Sequence, residues 1–263
     1  MKSVGIALLL GTMLAVPALA HAQTVTQEPA ASSRTDLGTK RKLVGRGHIV
    51  VWGSGGLDLD VIGDVTGGAV GTIRNTPTLV TPTAFPDVYV RTQRRRSAGI
   101  AVGVFDTVEV FGRYSDTNNP AATVIIGQYG SSSTTFAVAF DNYKERAMEF
   151  GLRKYLGTSS YTRQYLAIFG GVREVDPIGL TLQTPGGSVT SGLYGKSRVT
   201  TYGADFGITL EFGRIGLFVE AGMRYQPKLV RDDSTLALYG LEDLNNTGIR
   251  LFMPTSAGLL VRF

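Results

Sequence analysis

Two neighbouring segments, Arg198–Phe212 and Arg214–Tyr225, alternate in polarity residue by residue, with Gly213 between them. In the first, Tyr202, Ala204, Phe206, Ile208, Leu210 and Phe212 share one face, and Thr201, Gly203, Asp205, Gly207, Thr209 and Glu211 share the other. In the second, Ile215, Leu217, Val219, Ala221, Met223 and Tyr225 oppose Gly216, Phe218, Glu220, Gly222 and Arg224. A period of two is that of a pleated strand; a helix would scatter both sets around its surface. A single glycine between two such runs predicts an antiparallel hairpin. The pattern demands a sheet with one greasy face and one face of small and ionised residues.

The alternation recurs along the chain. Residues 94–104 set Ala98, Ile100, Val102 and Val104 against Arg95, Ser97, Gly99, Ala101 and Gly103. Residues 107–115 set Val108, Val110 and Tyr114 against Glu109, Phe111 and Arg113. Residues 145–156 set Met148, Phe150 and Leu152 against Glu149, Gly151, Arg153 and Tyr155. In 161–174 the outward set is Leu166, Ile168 and Val172, while 46–55 fits either facing. At the C-terminus Met253, Thr255, Ala257, Leu259, Val261 and Phe263 alternate with Pro254, Ser256, Gly258, Leu260 and Arg262. The reading is eight strands, at 46–55, 94–104, 107–115, 145–156, 161–174, 198–212, 214–225 and 249–263. Short turns near Phe105-Asp106, Gly157-Thr158-Ser159-Ser160 and Gly213 alternate with long loops over 56–93, 116–144, 175–197 and 226–248. Those loops are rich in the residues that favour turns.

A soluble sandwich would also alternate, with its apolar face buried. Three features favour a membrane instead. From Tyr202 to Phe212 a strand extends roughly 33 Å, and tilted by about 40° it rises roughly 25 Å, the height of the apolar band of a transmembrane barrel. Tyr114, Tyr202 and Tyr225 fall at the long-loop ends of their apolar faces, with Trp52 near that level, and Phe105, Tyr161, Phe212 and Phe263 fall at the short-turn ends. Aromatic girdles are expected at both membrane interfaces. The other face carries Glu109, Glu149, Asp205, Glu211 and Glu220 against Arg95, Arg113, Arg153, Arg224 and Arg262. Such charges suit the inside of a narrow barrel, where side chains fill the bore and must pair. The expected fold is all-β: an eight-stranded antiparallel up-and-down transmembrane β-barrel with short periplasmic turns and four long extracellular loops.

The N-terminus agrees with export. Lys2 precedes a short apolar run from Val4 to Val16, and Ala20-His21-Ala22 offers a small-x-small cleavage pattern. Residues 1–22 are read as a signal peptide, 23–44 as a flexible periplasmic tail and 45–263 as the barrel domain. The net charge of +5 loses only Lys2 on cleavage, leaving a mild +4 without large basic clusters. Nucleic acid is not a plausible partner for such a chain. There are no cysteines, which excludes a disulfide framework and thiol chemistry. Glycine, 34 of 263 residues, is about twice its usual share. It serves where strands curve and inward side chains crowd.

With Phe263 closing the last strand, the signal peptide, the alternating strands and four long loops, the chain resembles the OmpA-like outer-membrane barrel superfamily of Gram-negative bacteria. That superfamily includes opacity-type and OmpW-like small porin-family proteins. The resemblance covers nearly all of 45–263 and extends to pieces such as Gly151-Leu152-Arg153-Lys154-Tyr155-Leu156 and Gly170-Gly171-Val172-Arg173. It implies a bacterial outer-membrane location and a terminal Phe263 read by the barrel-assembly machinery. Outer-membrane lipid and lipopolysaccharide would surround the barrel. It also implies a non-enzymatic role in envelope integrity, adhesion or recognition, with a lumen plugged by ion pairs. The alternative is a narrow channel for small solutes or ions. The peptidoglycan-binding domain that follows the barrel in two-domain relatives is not expected here.

No catalytic site is expected. After cleavage the single histidine is His48, toward the periplasmic rim, and no G-x-S-x-G or H-E-x-x-H motif is present. No cofactor or metal is expected either. Asp58, Asp60 and Asp64 lack the spacing of a calcium loop and are read as solvated loop carboxylates. Of Arg94-Arg95-Arg96 one residue should point inward, with its neighbours near anionic lipopolysaccharide or solvated at the rim. Lys40-Arg41-Lys42 would face the periplasm. The largest loop, 56–93, with Pro77, Pro82 and Pro86, is the candidate surface for an extracellular ligand.

Overall fold

A computed structural model describes residues 46–89, 93–130, 134–157, 161–185, 187–232 and 235–263. The signal peptide expected at 1–22, the tail at 23–44 with its Lys40-Arg41-Lys42 and part of the turn expected after residue 157 lie outside the described residues. In chain order the strands are β1 Ile49–Ile62, β2 Asp64–Thr66, β3 Ala69–Ile73, β4 Thr76–Val80 and β5 Thr83–Ala84. A single turn of helix, α1 Phe85–Val88, comes next. There follow β6 Gln93–Phe105, β7 Val108–Asn119, β8 Thr123–Tyr129, β9 Thr135–Phe140, β10 Tyr143–Tyr155 and β11 Thr162–Val175. The rest are β12 Ile178–Thr184, β13 Gly187–Tyr194, β14 Ser197–Phe212, β15 Ile215–Gln226 and β16 Arg250–Arg262.

Eight of these strands close an antiparallel barrel in the order β1-β16-β15-β14-β11-β10-β7-β6. At its seam Ile49 and Phe263 exchange backbone hydrogen bonds of 3.3 and 2.8 Å. The pairing fixes the tilt. Gly55 leads through Arg96, Asp116, Arg146 and Glu174 to Arg198 one way round, and through Ala257 and Val219 to Ile208 the other way. The two circuits miss each other by the ten residues from 198 to 208 on β14. For eight strands such an offset corresponds to a tilt of about 40°. Outward positions along the strands form an apolar belt that includes Val51, Ile100, Phe150, Ile168, Leu217 and Leu259, all exposed. A closed barrel with this exterior suits acyl chains, because every wall hydrogen bond is internal and the greasy side chains face out.

Beyond the barrel, the long connections are not loose. The first three each fold into a hairpin, and the hairpins join edge to edge as a six-stranded sheet, β13-β12-β9-β8-β4-β3. At the tip of β3–β4, Arg74 and Asn75 both take positive φ (49° and 63°), the requirement of a two-residue primed turn. The fourth connection, with short 3-10 turns at Leu236–Tyr239 and Glu242–Asn245, reaches both flanks of this sheet. It pairs with β13 through Gly195 N–H to Val230 O at 3.0 Å, and it meets the entry to β3 through Gly67 N–H to Leu244 O at 2.8 Å. Ile73, Val80, Phe85, Val138, Leu182, Leu193, Leu236 and Leu244 are among the buried residues of the core so enclosed. This corrects the reading of 56–93 as a loop surface. The segment supplies β2 to β5 and α1, and Val65, Ile73, Val80, Phe85 and Val88 are structural core.

Candidate functional site

The barrel lumen is filled with ions. Among the described residues, the inward positions bring together eight carboxylates (Asp58, Asp60, Glu109, Glu145, Glu149, Asp205, Glu211, Glu220) and eight guanidinium groups (Arg95, Arg113, Arg153, Arg163, Arg173, Arg224, Arg250, Arg262). The interior is electrically balanced.

Three tiers follow the barrel axis. Near the short turns, Arg262 donates to Glu109 at 2.8 Å and to Glu211 at 3.0 Å, while Arg153 and the Tyr155 hydroxyl donate to the second Glu109 oxygen at 3.3 and 3.1 Å. Halfway up, Arg113 donates to Glu149, Glu220 and Asp205 at 2.8, 2.7 and 3.1 Å. Arg224 grips Asp205 with both terminal nitrogens at 2.5 and 3.0 Å and reaches Glu149 at 3.2 Å. Tyr165 donates to Glu220 at 2.9 Å. Beneath the cap, Arg173 pairs with Glu145, Arg250 with Asp60, and Arg95 with Asp58 at 3.6 Å. Aromatic rings separate the ions: the Arg153 guanidinium lies 4.8 Å from the Trp52 ring and 4.6 Å from that of Tyr165, and Arg224 lies 4.3 Å from Phe169. These faces supply the guanidinium groups with attraction that water would otherwise give. At Gly222 a Cβ would come within 1.9 Å of an Asp205 oxygen, so the carboxylate occupies space that only glycine leaves open.

All ten residues read from the alternation as the lumen set are inward. Six others that share the lumen, Asp58, Asp60, Glu145, Arg163, Arg173 and Arg250, were not in that set. Asp58 and Asp60 correct the reading of solvated loop carboxylates. β1 continues to Ile62, and both side chains turn into the lumen, Asp58 fully buried. Asp64 is exposed in β2. Trp52 is a second correction. It is not a girdle residue but an inward one, 4% exposed, stacked edge-on against Phe111. Gly99 opposite makes the room: a Cβ there would lie 2.3 Å from the indole. Tyr114, Tyr202, Tyr225, Phe105, Tyr161, Phe212 and the terminal Phe263 all face outward. Arg95 points in, with Arg94 and Arg96 exposed. His48 stands at the short-turn rim, its ring nitrogen 3.2 Å from the Phe263 carbonyl.

The cap closes the upper end. Phe85 packs against Tyr89 and Tyr143, and the Arg250 guanidinium lies 5.4 Å from the Phe85 ring. Tyr89 donates to the Asp141 carbonyl at 3.1 Å and Tyr194 to that of Val65 at 2.9 Å. Burial pushes both phenols well above the usual tyrosine range. Asn245 ties the fourth connection to the sheet, donating to the carbonyls of Leu193 and Asp232 at 3.0 and 3.2 Å.

No family model and no curated protein matches the sequence. Among solved structures, the chain is similar to Ail, the attachment invasion locus protein of Yersinia pestis, at 11% identity and TM-score 0.41, over 83% of this chain and 99% of that one. It is similar to Neisserial surface protein A at 11% identity and TM-score 0.44, over 83% and 100%. The outer membrane protease OmpT of Escherichia coli gives 10% identity and TM-score 0.38, over 82% and 97%.

Proposed function

We propose that this protein is a non-enzymatic barrel of the bacterial outer membrane, delivered by a cleaved signal peptide, with a sealed lumen and a cap that forms its outward recognition face. The balanced, aromatic-lined ion network carries this reading. It fills the bore where a conducting pore needs water, and the apolar cap core stands over its upper end. Outward Tyr114, Tyr202 and Tyr225 would mark one membrane interface, and Phe105, Tyr161, Phe212 and Phe263 the other, with lipopolysaccharide around the outer rim. Phe263 would be the strand end read by the barrel-assembly machinery, and an extracellular ligand would meet the cap. His48, at the rim opposite the cap, lies far from any surface where an external substrate would sit.

Purified protein in a planar bilayer is expected to give no steady conductance. Sustained currents altered by Glu149→Ala or Arg153→Ala would replace the sealed barrel with the alternative, a narrow solute or ion channel. One observation favours that alternative. Just below the cap, both Asp58 carboxylate oxygens, the Thr117 hydroxyl and the Asn119 amide are buried and make no hydrogen bond among the described residues. A cap that lifts would wet this region first.

A further inference from the structure

The apolar exterior of the barrel is lopsided. On β6, β7, β10, β11 and β14, outward positions in the cap-side half of the wall form a cross-strand row of alternating sign: Arg96 faces Asp116, Asp116 faces Arg146, Arg146 faces Glu174, and Glu174 faces Arg198. Lys144, Arg146, Asp116 and Asp176 line a polar cleft of about 360 Å³ on this flank. On β1 and β16 the outward positions are Leu57, Leu59, Val61, Leu251 and Met253, with Ile62 and Ile249 exposed beyond them.

The pairing register lets the two flanks be compared in height. A ten-residue offset shared by eight strands lifts the row by about one and a quarter residues, roughly 3 Å, at each strand from β1 through β6 to β14. Counted that way from Gly55, Leu59 stands roughly level with Arg146, Leu251 with Glu174, and Val61 with Arg198. At one height the barrel therefore shows leucine and valine on one side and ions on the other. Charged side chains facing lipid are tolerated near the interface and opposed at depth. Apolar side chains gain by staying in contact with acyl chains.

We infer that acyl chains wet the β1–β16 flank several ångströms further toward the cap than the β7–β14 flank, so that the barrel stands inclined in the bilayer, with its charged row in the headgroup layer. The occupant of the raised stripe is lipid, because the stripe continues the apolar belt along β1 and β16 with no charged outward residue and Thr255 as its one polar outward side chain. This inference rests on the membrane reading above. The chain has no cysteine, so single labels are clean. Val219→Cys, Val61→Cys and Lys144→Cys, each carrying a polarity-sensitive fluorophore, are to be compared in phosphatidylcholine vesicles. The quenchers are lipids brominated on the acyl chain and aqueous iodide. The Val219 and Val61 positions are expected to be quenched by brominated lipid and shielded from iodide, with the reverse at Lys144. A Val61 label as open to iodide as the Lys144 label, with Val219 still shielded, would overturn the inclination and leave the membrane reading intact. Iodide access at Val219 would remove both. Shielding of Val61 that disappears on dilution of protein in lipid would assign the stripe to a second copy and also overturn the inference.

Discussion

Sixteen ionisable side chains, among the described residues, fill the barrel lumen, whereas the six strands of the cap sheet contain no Asp, Glu, Lys or Arg at all. Both regions are enclosures of antiparallel strands with alternating side chains. They differ in what surrounds them. The barrel's outward set is apolar, which leaves polar residues for the inside, and inside they are stable only as opposed pairs. The cap has the opposite arrangement, its alternate residues turned in as Phe136, Val138, Leu180 and Leu182 and its outer positions taken mostly by threonine, glycine, alanine and glutamine, with Val70, Leu79 and Ile125 also exposed. One pleat serves both environments, and the solvent outside decides which set of side chains becomes the core.

The largest effect should follow from unbalancing the lumen. Glu149 accepts from Arg113 and Arg224, and Arg95 and Arg173 lie within 3.8 Å. Glu149→Ala is expected to cost about 3–5 kcal/mol, because it strands cations in a closed space. The check is the urea midpoint for unfolding in detergent micelles. Pairing it with Arg224→Met should restore part of the loss. A single substitution that leaves the midpoint unmoved would show that ion pairing does not hold the lumen. In the cap, Leu193→Ala should cost about 2–5 kcal/mol by opening a cavity. That loss should stay local: limited proteolysis would cut the cap connections while the boiled and unboiled forms still migrate differently on gels. Collapse of both together would mean that the two regions fold as one unit.

The smallest expected difference is alkaline. Tyr89 and Tyr194 have folded-state pKa values raised above the unfolded value of about 10. Their contribution is fully present below that value and is lost as pH rises through the still higher folded-state values. The cap should become protease-sensitive above about pH 10 before the barrel loses strand signal by circular dichroism. Tyr194→Phe should reduce the dependence, and a barrel that loosens at the same pH as the cap would blur the distinction.

The barrel strands were legible because alternation is a local signal, repeated at strand length and punctuated by Gly213 and Phe105-Asp106. The missed lumen ions had the same signal. Glu145 shares its parity with Glu149 on β10, Arg250 with Arg262 on β16, and Arg173 with Phe169 on β11. Those three lie at the ends of strands legible in the sequence yet fall outside the lumen set read there, whereas a strand end that turns charges inward can also look like polar loop. Asp58 and Asp60, next to Gly55-Gly56, are the clearest case. Trp52 was misplaced because a large aromatic suits a membrane interface, and only the pairing with Gly99 shows the space that admits it.

Period-two patterning, turn residues and strand length determined by themselves that this chain makes an eight-stranded barrel with ions on one face of its wall. They act between neighbours in sequence, so they can be read there. Only the tertiary structure decided that three separate connections share one sheet, that the fourth ties its flanks together, and which acid meets which base. Those outcomes depend on residues far apart in the chain, Arg262 with Glu109 or Tyr194 with Val65, whose meeting is set by barrel closure and register rather than by any local preference.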